Sequence, residues 1–160
     1  MKKALISMIL VTAGLATSAA PAIADGRNGP VEVTNGRFQR LPHAADGVHD
    51  DIKGGAIMFR TAGHTTVYVR VTGLAPGATY PAHVHNQPCS FNPAGGGHYQ
   101  QASMPTADPV NEIWPMITTD AKGHGTGHAV NGFVARPEAQ SIVIHNPANT
   151  PIRLACVDLT

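Results

Sequence analysis

The chain has 160 residues, only 13% of them charged, with a formal net charge of +1. That balance excludes an electrostatic nucleic-acid binder, which needs a basic stripe interleaved with aromatics. With 17 glycines and 13 prolines, turns are frequent and an architecture of long helices is excluded in favour of short strands.

In chain order, Lys2 and Lys3 precede an apolar stretch over residues 4–15, and Ala22-Ile23-Ala24 supplies the small-x-small pattern of signal-peptidase sites. Residues 1–24 therefore read as a signal peptide cleaved before Asp25, and the protein is expected to be exported to the periplasm or secreted. The apolar stretch is too short for a stable membrane anchor, and no cysteine lies near the cleavage point to take a lipid. An uncleaved anchor is the competing reading. The remainder is long enough for one domain with a sizeable core.

Residues 25–54 form an N-terminal segment, with a small hairpin predicted from residues 31–34, Asn35-Gly36 at its turn, and residues 37–39. A loop follows over residues 42–51. From residue 55 to the end the pattern is that of one β domain. Residues 56–60 read as a strand, Ala62-Gly63 as a turn, and residues 65–72 as a second strand with Val67, Val69 and Val71 inward and Thr66, Tyr68 and Arg70 outward. Residues 73–77 turn the chain into a strand holding Ala82-His83-Val84-His85. Side chains two apart on a strand share a face, so both imidazoles point one way and Val84 points into the core.

Residues 88–111 are rich in Gly, Pro, Asn and Gln and lack apolar periodicity. A loop of that length in a compact domain is usually functional, and this one contains His98. Residues 113–119 are predicted as a strand, residues 120–123 as a turn, and residues 126–130, 141–145 and 152–159 as further strands. Short strands divided by turns describe an antiparallel sandwich or barrel, an all-β fold.

Four histidines have an informative context: His83, His85, His98, and His145 at the end of the apolar run Ile142-Val143-Ile144. An all-imidazole set suits copper(II) better than a hard-oxygen cation, so a single copper site is expected. Cys89 and Cys156 lie far apart in a chain bound for an oxidising compartment, where a disulfide is the default. Such a bridge is worth about 4 kcal/mol in the chain-entropy account. Two metal-binding thiols are the alternative. His124 and His128, in a glycine-rich turn region, are weak candidates for an accessory surface metal site, Trp114 reads as a packing anchor, and His43, His49 and His64 are expected to face solvent. Nothing in the pattern fixes an oligomeric state.

The order His83-Val84-His85, Cys89, Gly96-Gly97-His98, Ile142 to His145 and Arg153-Leu154-Ala155-Cys156 resembles the copper/zinc superoxide dismutase family from about residue 56 to the C-terminus. The resemblance implies a Greek-key β-sandwich. It also implies copper ligation by His83, His85, His98 and His145, a Cys89–Cys156 disulfide, and Arg153 guiding the substrate anion. The implied reaction converts superoxide to dioxygen and hydrogen peroxide, with His98 also carrying protons. Two features depart from the zinc-containing members. No histidine occurs between His98 and His124, so the family's zinc site is not expected, and only seven residues separate His145 from Arg153, where relatives carry a long charged loop. Both departures, and the segment Asn111-Glu112-Ile113-Trp114, resemble the copper-only bacterial members. By that likeness Glu112 is expected to support the far nitrogen of His98, in the manner of a carboxylate behind a metal-ligating histidine. A solvated glutamate at a strand start is its alternative, and a non-catalytic copper-buffering protein is the alternative for the whole chain.

Overall fold

A computed structural model describes residues 30–42, 47–103 and 106–160. The expected signal peptide and His43 lie outside the described residues. Among the described residues ten strands follow one another: β1 (Glu32–Arg37), β2 (Gln39–Arg40), β3 (Lys53–Thr61), β4 (His64–Thr72), β5 (Thr79–Tyr80), β6 (Ala82–His85), β7 (Ile117–Thr119), β8 (Gly125–Asn131), β9 (Ser141–Asn146) and β10 (Asn149–Asp158). They build two antiparallel sheets, a larger one in the order β1-β3-β4-β8-β7-β5 and a smaller one in the order β2-β10-β9-β6.

The alternation read in residues 65–72 holds. Val67, Val69 and Val71 are buried on the inner face of β4, while Tyr68 and Arg70 are exposed. Each such valine contributes about 1.5–3 kcal/mol through burial. They pack in one core with Val84, Ile142, Ile144, Leu154 and Val157 of the smaller sheet. The Ala62-Gly63 turn closes β3 onto β4, with Thr61 opposite His64.

The N-terminal hairpin is a misreading. Asn35 and Gly36 lie inside the continuous strand β1, paired with Ile57 and Ala56 of β3. Gly36 is there because backbones approach closely: a Cβ at that position would lie 2.0 Å from the Asp158 carbonyl oxygen. The chain then crosses from the larger sheet to the smaller at buried Phe38. The strand predicted over residues 113–119 is also shorter, running only from Ile117. Pro115 has no N–H to give a ladder, although the Ile113 carbonyl still accepts from the Val84 amide at 3.0 Å.

The smaller sheet is covered on both sides, since every residue from Ser141 to His145 is buried. Its inner face meets the core, and on its outer face Gly95 packs against Val143. Cys89 and Cys156 form a disulfide, as expected, and fasten the start of the long loop to β10. The space between this loop and the outer face of β6 and β9 holds the candidate site.

Candidate metal centre

Strand register delivers three of the four predicted histidines. On β6, His83 pairs with Val143 and His85 with Ser141, and His145 on β9 pairs with Arg153 on β10. His98 arrives from the loop, forming an isolated bridge with His85. The four side chains each offer a nitrogen, and these nitrogens all lie within 4.8 Å of one another. Ring centroids are 4.1 Å apart for His83 and His98, and 5.2 Å for His83 and His145.

Hydrogen bonds on the far side of each ring decide which nitrogen faces inward. His85 Nδ1 lies 3.2 Å from the Gly96 carbonyl, and His145 Nδ1 lies 2.7 Å from the Thr150 carbonyl. A carbonyl only accepts, so both Nδ1 atoms carry the proton and both Nε2 atoms are bare when the rings are neutral. Those two Nε2 atoms face each other at 3.4 Å. Two lone pairs so placed repel unless a cation lies between them. His83 differs: its Nδ1 is buried with no hydrogen-bond partner among the described residues. Leaving a buried nitrogen unsatisfied costs about 1–3 kcal/mol, which a metal bond removes. Orphaned nitrogen, facing lone pairs and an all-imidazole donor set together fit a copper ion.

Electrostatics agree with neutral ligands. Burial, followed by repulsion from His98 and His145, pulls the pKa of His83 down to about 3. Burial likewise takes His85 to about 2, with His98, His145 and Arg153 adding to the shift. His145 falls to about 4, again mainly through burial. Lone pairs are therefore available to a cation at neutral pH.

Glu112 is buried, not solvated, and its Oε2 lies 2.7 Å from His98 Nδ1. The same oxygen accepts from Trp114 Nε1 at 2.7 Å, and Oε1 accepts from the Gln100 side-chain amide at 3.0 Å. Burial alone would raise the carboxyl pKa, but donors from Gln100, Trp114 and His98 outweigh it and lower the pKa. Glu112 is thus an anion held by three donors. Asn131 fixes its backbone by donating to the Glu112 carbonyl at 2.9 Å.

Arg153 is half-buried at the β9–β10 irregularity and donates a guanidinium N–H to the Ala94 carbonyl. Desolvation lowers its pKa, and its charge in turn depresses His85 and His145. Gly96, whose carbonyl orients His85, has φ of +66° and would clash with Gln87 if given a Cβ.

Several residues behave differently from expectation. Trp114 is more than a packing anchor, since it donates to Glu112 and its ring lies 5.4 Å from His83. Gln100 was missed altogether. The legible signal was spacing: in an extended segment Glu112 and Trp114, two apart, share a face. His49 does not face solvent but is buried, its Nε2 2.8 Å from the Tyr80 hydroxyl, which itself accepts from the Ala75 amide at 2.8 Å. His64 is exposed as expected. His124 lies 3.3 Å from Asp120, and His128 stacks on Tyr68 with ring centroids 4.6 Å apart. Neither joins a group of three or more metal-ligating side chains among the described residues.

No family model matches the chain, and no curated protein does. Among solved structures it is similar to the Cu/Zn superoxide dismutase from Brucella abortus, with a TM-score of 0.59 at 19% identity, covering 81% of this chain and 100% of that one. The fold is therefore the two-sheet sandwich of superoxide dismutase.

Proposed function

We propose that this protein is an exported superoxide dismutase working with a single copper ion and no zinc. The observation that carries the reading is the pair of bare Nε2 atoms on His85 and His145 facing each other at 3.4 Å beside the orphaned Nδ1 of His83. His83 through Nδ1, and His85, His98 and His145 through Nε2, would hold the ion. Bound there, copper would supply one-electron exchange with superoxide, alternating between its two oxidation states.

The chain's own residues do the rest. Arg153 places a positive charge beside the site and draws a small anion toward it. One of its N–H groups is committed to the Ala94 carbonyl, which aims the guanidinium and leaves its other donors for the substrate. His98 is partly open to solvent, with its side chain one-third exposed against 1% for Glu112. Its Nδ1–H stays on ionised Glu112, so whenever its Nε2 is not serving as a ligand, that atom would hold a proton and pass it to the departing peroxide. Two superoxide anions and two protons then leave as dioxygen and hydrogen peroxide.

Glu112 supports the zinc-free form, because it occupies the His98 nitrogen that the zinc-containing members direct at zinc. The exposure of His98 favours an enzyme over a copper-buffering protein, which would gain from a closed site. Metal analysis of protein reconstituted with both ions, coupled to superoxide decay on the same sample, tests the proposal. One copper, no zinc and activity lost on copper removal are expected. Two metals per chain would overturn the single-metal reading, and copper without turnover would overturn the enzyme.

A further inference from the structure

The outer face of the larger sheet, which the proposed chemistry does not use, carries an open groove of about 830 Å³. Residues paired in antiparallel register send their side chains to the same face, so two rows cross this groove. One row is Arg37, Gly55, Arg70 and Thr126; the next is Asn35, Ile57, Tyr68 and His128. Gly55 has no side chain, since a Cβ there would lie 2.6 Å from the Gly36 carbonyl oxygen, so two arginines on strands roughly 10 Å apart flank a position of β3 that carries none.

Both arginines are exposed, and neither guanidinium has a hydrogen bond or ion pair among the described residues. The other described arginines do have partners: Arg40 holds Asp50, Arg60 holds Glu32, Arg136 holds the Gln100 carbonyl and Arg153 the Ala94 carbonyl. No acidic side chain lines the groove. Beside the arginine row, half-buried Ile57 and the Tyr68–His128 ring pair offer a flat apolar surface.

We propose that this groove binds a small organic anion built on a flat ring. Its carboxylate or sulfonate head is held between the long side chains of Arg37 and Arg70, outward of the Gly36 carbonyl, and its ring lies on Ile57 and Tyr68. Guanidinium forks match a carboxylate or sulfonate through paired N–H donors. A second copy of the chain fits poorly, since a two-fold contact across this face would oppose unpartnered guanidinium groups with no acid between them. A bare inorganic anion would leave the apolar row unused. The inference stands apart from the metal reading, because no residue is shared.

Calorimetric titration of the full chain with 2-naphthalenesulfonate tests it, with 2-naphthol and inorganic sulfate as comparisons. Saturable one-to-one binding of the sulfonate is expected, tighter than either comparison. Arg37→Gln with Arg70→Gln should weaken it at least about tenfold, the loss expected from one charge-assisted hydrogen bond, and Tyr68→Ala should weaken it severalfold. These side chains are exposed, so unchanged thermal midpoints will verify folding and copper content should not move. Absence of saturable binding, binding no tighter than that of 2-naphthol or sulfate, or affinity untouched by the double arginine substitution would overturn the proposal.

Discussion

The two halves of the candidate metal centre are built differently. His83, His85 and His145 stand on β6 and β9, where ladder register fixes their backbones, and His85 and His145 are buried. His98 comes from the loop, is one-third exposed, and owes its orientation to one carboxylate. On the proposed reading, the strand-held half would set where a cation sits, and the loop-held half would be the part to loosen and exchange protons. Substitutions in the two halves should therefore separate metal occupancy from turnover.

The largest effect is expected from His85→Gln. It removes a lone pair from the rigid half, so copper occupancy and superoxide turnover should fall together, by more than the 10–100-fold typical of a residue that only supports a ligand. Metal analysis and a decay assay on one sample check this. Glu112→Gln keeps the side-chain volume but removes the anion behind His98. Turnover should drop 10–100-fold while copper occupancy falls less than in His85→Gln. Equal losses of metal in the two variants would erase the distinction between the halves.

Arg153→Gln should lower kcat/KM on the order of tenfold and flatten its dependence on ionic strength, with copper content unchanged. Stopped-flow measurements across a salt series read both. A smaller effect concerns the metal-free protein. His85 and His145 are held below their ordinary pKa, at about 2 and about 4, chiefly by burial. Between those values and about 6.5 the unfolded chain binds protons that the folded chain refuses, so stability is full above about pH 6.5 and falls as the solution is acidified. Each imidazole contributes a slope of up to about 1.4 kcal/mol per pH unit. Denaturant unfolding of His145→Gln should show a flatter decline by about that amount between pH 6 and pH 5.

The same division governs how much was legible in the sequence. Period-two alternation on β4 and the His-x-His spacing on β6 are local consequences of strand geometry, so they could be read directly. The fold and the four histidines were available from motif order, and the coordinates bring all four together. Asn35-Gly36 misled because turn propensity and close backbone approach demand the same residue; only the position of Asp158 distinguishes them. His49 misled because its burial depends on Tyr80, thirty-one residues away. The donor from Gln100 to Glu112 was invisible in the sequence, since a buried carboxylate gathers partners from wherever the loop returns. Unpartnered Arg37 and Arg70 likewise become conspicuous only when β3 places Gly55 between them.

The central claim is that three strand-held imidazoles and one loop-held imidazole surround a single copper ion. Diffraction from crystals of the copper-loaded protein, recorded at the copper absorption edge, tests this most directly. The account predicts one anomalous peak bonded to His83 Nδ1 and to Nε2 of His85, His98 and His145. A peak elsewhere, or none among these four rings, would contradict it.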